Sequence, residues 1–240
     1  MQGPSFATQD IGLFERLIQV FYAPRASFIA VYQRETSHDW LVPVLLATVV
    51  GIASYFITQD ILLDPESPDL KQQLQHMTEE QQQNYLKGMR EKGWMIVPVG
   101  TFSTLVIVSG ILLLLGRSVF NSEITYQQML IAKGYASLVL IPEWIVRTAL
   151  TLVNETGRVH TGLGAFVPEE MAHTFVGKVL ISIDFFDCWQ VWVLGTGLAM
   201  MAEVPVKRAV VAILVLWGIW IVGGAAVESL STTLPPPVPE

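Results

Sequence analysis

Charged side chains are scarce in this chain. Asp, Glu, Lys and Arg make up 15% of its 240 residues, whereas they account for roughly a quarter of an ordinary soluble domain. Hydrophobic residues make up 52%, the mean hydropathy is +0.48, and the apolar residues gather in long uncharged runs. Water is therefore not the main solvent of this protein, and a soluble globular domain is excluded for most of its length.

Cysteine is almost absent as well. The chain has 1 cysteine, Cys188, so an intramolecular disulfide is excluded and cysteine usage does not indicate the redox compartment. Asp10, Glu15 and Arg16 interrupt the amino terminus before any apolar run of useful length, which argues against a cleavable signal peptide. We expect membrane insertion to use the first long apolar run.

Sequence motifs of catalysis are missing. There is no Gly-x-Ser-x-Gly nucleophile motif, no glycine-rich phosphate-binding loop and no His-Glu-x-x-His zinc motif. The net charge of -7 comes from acidic residues that lie mainly between the apolar runs, and it indicates no class of partner. We expect a protein that is not an enzyme, has no cofactor and does not bind nucleic acid.

One pair of residues has the spacing of metal ligands. Glu169 and His173 are four residues apart, and the surrounding segment offers only His160 as an obvious third ligand. A surface helix that starts at Pro168 explains the same spacing, so we expect no metal site.

Long uncharged runs are what the chain has instead. The stretches 95–115 and 209–227 contain no Asp, Glu, Lys, Arg or His, and each reaches the ~20 residues needed to cross ~30 Å of hydrocarbon. We therefore predict an all-α polytopic membrane protein with a bundle of five transmembrane helices. The predicted membrane domain is 40–227, with spans at about 41–57, 95–115, 129–153, 179–200 and 209–227.

Residues 1–39 are predicted to form amphipathic helices at the membrane interface. Apolar residues recur at helical spacing on one side: Ile11, Phe14, Ile18 and Phe21. Polar residues lie on the other side: Glu15, Arg16 and Gln19. Pro24 is predicted to end the first helix. A helix on the membrane surface and a helix packed on the bundle explain this pattern equally well.

Two polar segments flank or interrupt the apolar runs. The loop 59–93 is rich in glutamine and contains two helix-start signals, Ser67-Pro68-Asp69 and the capping box Thr78-Glu79-Glu80-Gln81. It is predicted to be a helical hairpin or a kinked helix, solvated rather than a binding site. The proline-rich tail 228–240 is predicted to be extended or disordered.

Basic residues give a balanced count on the two sides of a five-span topology, six against six. Lys207 and Arg208 lie directly before the last span, whereas no Lys or Arg follows it. This local asymmetry favours a cytoplasmic amino terminus and a carboxyl terminus outside.

Ionisable residues inside the predicted spans are the candidate site, because each costs about 2.5–3.5 kcal/mol at membrane depth. Glu143 and Arg147 are four residues apart on one helix face, next to Pro142, which should kink the helix. They form either a structural ion pair or a functional polar site.

Asp184 and Asp187 are three residues apart and share a face of the fourth predicted span. They either carry a proton or bind a cation, as in transporters, or lie near the border and cap a helix. One of them is expected to be protonated or paired with Lys133 or Lys178.

The order of these features resembles the Yip1 domain family. The likeness runs from Phe21-Tyr22-Ala23-Pro24 through Trp40 and Pro43 to Gly134-Tyr135-Ala136-Ser137-Leu138 and Ile141-Pro142. It ends in Ile183-Asp184, Trp189, Trp192 and Lys207-Arg208-Ala209. Gly134, Tyr135, Pro142 and Asp184 match positions of the family pattern, and no catalytic role comes with them.

The resemblance implies a five-helix bundle with a cytoplasmic amino terminus. Eukaryotic members are associated with vesicle trafficking and prenylated small GTPases and carry an Asp-Leu-Tyr-Gly-Pro motif, which this chain lacks. The chain therefore resembles a bacterial member of the inner membrane, and the GTPase role is not carried over.

Three functions are compatible with these observations. The first is a scaffold or assembly and trafficking factor that binds other membrane proteins, with homo-oligomers also possible through small-residue helix faces. The second is a small transporter or channel that uses Asp184, Asp187, Glu143 and Arg147 as a polar path. The third is lipid binding or modification at the interface. A polar path predicts that Asp184 and Glu143 converge on one water-filled cavity, whereas a scaffold predicts that they are paired and closed off.

Overall fold

A computed structural model describes residues 12–33 and 38–233 of the chain. Apart from short 3-10 turns and one isolated β-bridge, the regular structure in these ranges is α-helical. The helices, in chain order, are α1 (Leu13–Tyr22), α2 (Pro24–Tyr32), α3 (Leu41–Leu62), α4 (Pro68–Leu74), α5 (Glu79–Lys92), α6 (Ile96–Val119), α7 (Tyr126–Ala136), α8 (Leu140–Asn154), α9 (Glu169–Ala172), α10 (Phe175–Ile181), α11 (Phe185–Ala202) and α12 (Val206–Thr233).

Four helical stretches are long and apolar enough to cross a membrane: Leu41–Leu62, Glu79–Val119, Tyr126–Asn154 and Val206–Ser229. They contain the predicted first, second, third and fifth spans, and each is longer than its prediction. The uncharged run marks only the part inside hydrocarbon, whereas the backbone hydrogen bonds of a helix continue into the polar border. The prediction of an all-α polytopic membrane protein is confirmed.

The predicted fourth span, 179–200, is wrong as a single helix. The chain leaves α10 at Ile181 and α11 begins at Phe185, because the Asp184 side chain caps the new helix. α11 has 18 residues and carries Asp187 and Gln190, and it is not among the four stretches above. It nevertheless lies in the centre of the bundle, packed against α12, α7 and α2. Five membrane crossings therefore stay a prediction.

The third span is interrupted where the sequence predicts a kink. A 3-10 turn, Ser137–Val139, separates α7 from α8 and lies about one turn before Pro142. Proline has no N–H to donate to the carbonyl group four residues back, here that of Leu138, so a regular α-helix cannot continue through this point. The two halves of the span thereby present different faces to the bundle.

The first two helices pack on the bundle with an unexpected face. α1 ends at Tyr22 and Pro24 begins α2, as predicted. Arg16, however, is buried, at 3% exposure, and pairs with Asp39 at 3.1 Å, whereas Phe14 is 75% exposed. Part of the polar side of α1 is therefore buried rather than exposed to water. Arg16 can be buried because Asp39 supplies the opposite charge. Residues 1–11 lie outside the described part of the chain.

Both helix starts of the polar loop are confirmed. The Ser67 hydroxyl group caps α4, and Thr78 and Gln81 form the capping box at the start of α5. A 3-10 turn, Gly93–Met95, then leads directly into α6. At the other end of the chain, α12 continues to Thr233, so the tail begins later than the predicted residue 228. Its proline stretch 235–239, predicted to be extended or disordered, lies outside the described residues. No proline lies between Val206 and Pro235, which lets α12 extend this far.

Candidate functional site

Arg147 connects the predicted polar residues of two helices. It lies one turn after Glu143 on α8, and its Nε donates a hydrogen bond to Glu143 Oε1 at 2.9 Å. Its Nη2 donates to Asp184 Oδ2, at the start of α11, at 3.0 Å. The predicted pair of Glu143 and Arg147 is thus confirmed, and it is part of a triad with one guanidinium group and two carboxylates.

Asp184 is the most buried member of this triad, at 6% exposure. One carboxylate oxygen, Oδ1, accepts a hydrogen bond from Phe186 N at 2.8 Å and so caps α11. The other, Oδ2, accepts hydrogen bonds from Arg147 and from the Thr161 hydroxyl group. Both oxygens of this carboxylate are thus engaged, and groups of the protein occupy three of its roughly four acceptor positions.

The segment before α9 is held against Asp184 by backbone contacts. Gly162 and Asp184 form an antiparallel β-bridge, and Leu163 N donates to Ile183 O at 3.0 Å. A Cβ atom on Gly162 would lie 2.1 Å from Ile183 O, so the approach requires glycine. The same segment places the Thr161 hydroxyl group against Asp184 Oδ2.

Among the described residues neither aspartate pairs with Lys133 or Lys178, so that alternative is wrong, whereas protonation of one aspartate stays a prediction. Lys178 pairs with Glu228 at 3.3 Å, and Lys133 donates a hydrogen bond to Gln190 Oε1 at 3.1 Å. Asp184 pairs with Arg147 instead. The Asp187 carboxylate lies within electrostatic range of both Arg147 and Lys133, but it forms no direct ion pair with either among the described residues.

Asp187 forms no hydrogen bond or ion pair with the triad among the described residues. It lines a cavity of about 930 Å³ together with Lys133 and Gln190, whereas Asp184, Glu143 and Arg147 do not line it. The two aspartates that share a helix face in the sequence therefore face different environments. The sequence missed this division because the cap at Asp184 turns the chain between them.

Two of the three candidate metal ligands, His160 and Glu169, line a small cavity of about 360 Å³. His173 does not line this cavity. Within 12–33 and 38–233, no three His, Cys, Asp or Glu side chains are arranged to hold a metal ion.

Two of the residues that carry the family resemblance, Gly134 and Tyr135, lie in the core. Tyr135 is 0% exposed, and its ring lies 6.1 Å from that of Phe28 on α2. A Cβ atom on Gly134 would lie 2.8 Å from Trp40 Cβ, so the start of α3 packs directly on the α7 backbone. Together with the interruption before Pro142, these residues fix how α7 packs against α2 and α3.

The comparisons agree with this architecture. The sequence profile described as the Yip1 domain matches residues 18–227. No curated protein and no solved structure matches the chain. Because the profile extends over most of the chain, from α1 to the last turns of α12, this protein belongs to the Yip1 domain family.

Proposed function

We propose that this protein is a non-enzymatic membrane scaffold, an assembly or trafficking factor that binds other membrane proteins. The observation that carries this proposal is the helix α5, whose 14 residues include none that is buried. The membrane spans anchor the protein, and the hairpin of α4 and α5 presents a docking arm outside the bilayer.

The arm is held in place although it contributes little to the core. The Tyr55 hydroxyl group, on α3, donates to Met89 O at 2.5 Å, and Gln82 Nε2 donates to Leu74 O and Met77 O at 3.1 Å each. Arg90 and Asp60 form an exposed ion pair at 3.5 Å. These contacts fix the hairpin to the end of α3 and to its own turn.

An ordered polar helix of this kind is well suited to binding a partner. Isolated helices shorter than ~12–15 residues are marginal in water, so α5 owes its order to its caps and anchoring contacts. A preorganised surface loses little conformational entropy when a partner docks. The exposed side chains are amides and charges of both signs, which match the polar surface of another protein's extramembrane part.

The closed triad also favours a scaffold over a transporter. A polar path requires Asp184 and Glu143 on a shared water-filled cavity, whereas both carboxylates contact the same guanidinium group. A buried carboxylate that already accepts three hydrogen bonds from the protein has little capacity left for a travelling proton or cation. Replacing Asp184 by Asn should therefore leave any ion flux unchanged.

For the location, we propose the inner membrane of a bacterium, with the amino terminus in the cytoplasm. α3 then carries the chain outward, and the hairpin faces the outside. This orientation is supported by Lys207 and Arg208 at the start of α12.

Photo-cross-linking in native membranes tests the scaffold. A photoreactive amino acid at Gln83 or Lys87, both exposed on α5, should cross-link one defined membrane protein. The same amino acid at Glu123, in the exposed connection between α6 and α7, is the matched control and should not. Gln83→Glu combined with Lys87→Glu should reduce co-purification of that partner. Equal, unspecific products from all three sites would refute the docking arm.

A further inference from the structure

A cavity opens in the side of the bundle between α6, α11 and α12. Its volume of about 930 Å³ lies at the upper end of the ~300–1,000 Å³ typical of small-molecule sites. α6 packs on α7 and α12 packs on α11, and α6 and α12 form the two walls. Ile107 and Trp220, one on each wall, are 60% and 79% exposed, so the cavity is open toward the surroundings of the bundle.

The polarity of the lining changes along the cavity. Polar side chains lie near the starts of α6 and α11 and near the end of α12: Ser103, Thr104, Ser182, Asp187 and Glu228. Apolar side chains lie toward the opposite ends of the same helices: Ile111, Leu112, Leu194, Ile213 and Trp217. From Gly100 to Leu112, α6 rises ~18 Å, close to the roughly 15 Å of one leaflet in a ~30 Å hydrocarbon core.

Lys133 lines the cavity next to its polar end. It is 4% exposed, and its Nζ donates one hydrogen bond, to Gln190 Oε1, among the described residues. An ammonium group has three donors, so two remain. Asp187 lines the same cavity, and no described residue donates a hydrogen bond to its carboxylate. The Lys133 ammonium and the Asp187 carboxylate thus line one cavity without direct contact. Both have unused hydrogen-bonding capacity, and hydrocarbon offers no groups to fill it.

We propose that the cavity binds one phospholipid whose headgroup carries a phosphate and a primary ammonium, as phosphatidylethanolamine does. The phosphate accepts hydrogen bonds from Lys133 Nζ, the ammonium donates to the Asp187 carboxylate, and one acyl chain lies along the apolar end. Glu228 forms an ion pair with Lys178. The other charged side chains that line the cavity are one cation, Lys133, and one anion, Asp187. The proposal does not rest on the scaffold function.

A lipid fits better than a partner's transmembrane helix. A helix with side chains is ~10 Å or more in diameter and spans ~30 Å of a bilayer. The polar end and the apolar end of this cavity instead match the headgroup and one acyl chain of a single lipid. A helix would also need its own cation and anion at matching depth, whereas a zwitterionic headgroup carries both.

Two neighbouring glycines provide a matched test. Gly224 lines the cavity and Gly223 does not, and a Cβ atom at either position meets no other atom within 4 Å. Gly224→Phe should therefore fill the cavity without strain in the protein. Gly223→Phe adds the same side chain to the same helix and leaves the cavity open.

The full-length protein is reconstituted into vesicles with equal amounts of phosphatidylethanolamine, phosphatidylcholine and phosphatidylglycerol and extracted in mild detergent. Native mass spectrometry then measures the lipid that stays bound. We expect one phosphatidylethanolamine per protein, enriched at least about fivefold over the other two lipids, the equivalent of one net hydrogen bond. Gly224→Phe, Lys133→Met and Asp187→Asn should lose the enrichment, and Gly223→Phe should retain it.

Several results would overturn the proposal. Equal retention of the three lipids, or a preference for phosphatidylglycerol, would contradict the zwitterionic headgroup. Phosphatidylcholine bound as well as phosphatidylethanolamine would contradict the hydrogen bond from a primary ammonium. The same enrichment in Gly224→Phe and Gly223→Phe would locate the lipid elsewhere. If Lys133→Met fails to fold, the comparison of the two glycine variants still decides the result.

Discussion

At the scale of single residues, the triad of Glu143, Arg147 and Asp184 should determine the stability of the bundle. Arg147→Met leaves two carboxylates uncompensated in the protein, so we expect a loss of about 3–5 kcal/mol in the free energy of unfolding. The loss is measured by chemical unfolding in mixed micelles. Arg90→Met removes an ion pair whose two side chains are 63% and 85% exposed, and it should change stability far less.

A triple variant that removes all three charges of the triad tests whether charge or hydrogen bonding is responsible for this stability. Arg147→Met combined with Glu143→Gln and Asp184→Asn should recover a large part of the lost stability, because no unpaired charge remains. Failure to recover would show that the hydrogen bonds of Asp184, rather than its charge, hold the start of α11 in place.

Gly162 gives a second prediction at this scale. Gly162→Ala puts a Cβ atom against the Ile183 carbonyl group, and the backbone has to move. We expect a loss of about 1–3 kcal/mol in the free energy of unfolding, as for overpacked cores. Gly110→Ala is the matched control, since a Cβ atom there meets no other atom within 4 Å and alanine favours the helix. Equal effects of the two substitutions would contradict the close approach.

Local spacing explains which contacts the sequence could predict. Glu143 and Arg147 are neighbours on any regular helix, so their pairing follows from the sequence. The contact between Arg147 and Asp184 joins residues 37 positions apart and depends on how α8 packs near α11. The buried position of Arg16 also depends on a partner that is not local, Asp39. Such pairings could not be predicted without the packing of the helices.

At the scale of elements, the caps of the hairpin give a local prediction. Thr78→Ala removes one side of the capping box, and we expect α5 to lose about 1 kcal/mol of local stability. Hydrogen exchange of residues 79–92 should accelerate about fivefold. Exchange in α6 should stay unchanged, because α6 is held by the bundle. Acceleration in both helices would show that they open as one unit.

Helix ends and interruptions decided how well elements could be predicted. Uncharged runs locate the spans, because a bilayer excludes charged side chains. Helix propensity is a weaker guide to where a helix begins and ends. Cap motifs located α4 and α5, because caps are local. A helix cap at Asp184 was one of the two alternatives that the sequence offered, and the contact with Phe186 N confirms it. The break between α10 and α11 was not predicted, since 179–200 was expected to be one continuous span.

At the scale of the whole molecule, the number of crossings depends on α11. α11 and α12 are joined by a short turn and pack along each other, so they form a helical hairpin. If α12 crosses the membrane, α11 should cross in the opposite direction. This arrangement places residues 155–184 and the turn 203–205 on opposite sides.

Cysteine labelling with an impermeant maleimide checks this topology. Single cysteines at Glu170 and Lys207, both exposed, are introduced into a Cys188→Ser background. We expect them to react from opposite sides of sealed vesicles, with a cysteine at Gln83 reacting from the same side as the one at Glu170. Reaction of the Glu170 and Lys207 positions from one side would show four crossings instead of five.

The continuous path from α5 through Gly93–Met95 into α6 has a thermodynamic consequence. The stretch Glu79–Val119 has 41 residues, so a rod of ~60 Å joins the proposed docking arm to one wall of the lipid cavity. If this rod moves as one body, a tilt of the arm that a partner prefers changes the distance between α6 and α12 across the cavity. The two binding events then share one coupling free energy, and the factor by which a bound lipid changes partner affinity must equal the factor by which the partner changes lipid affinity.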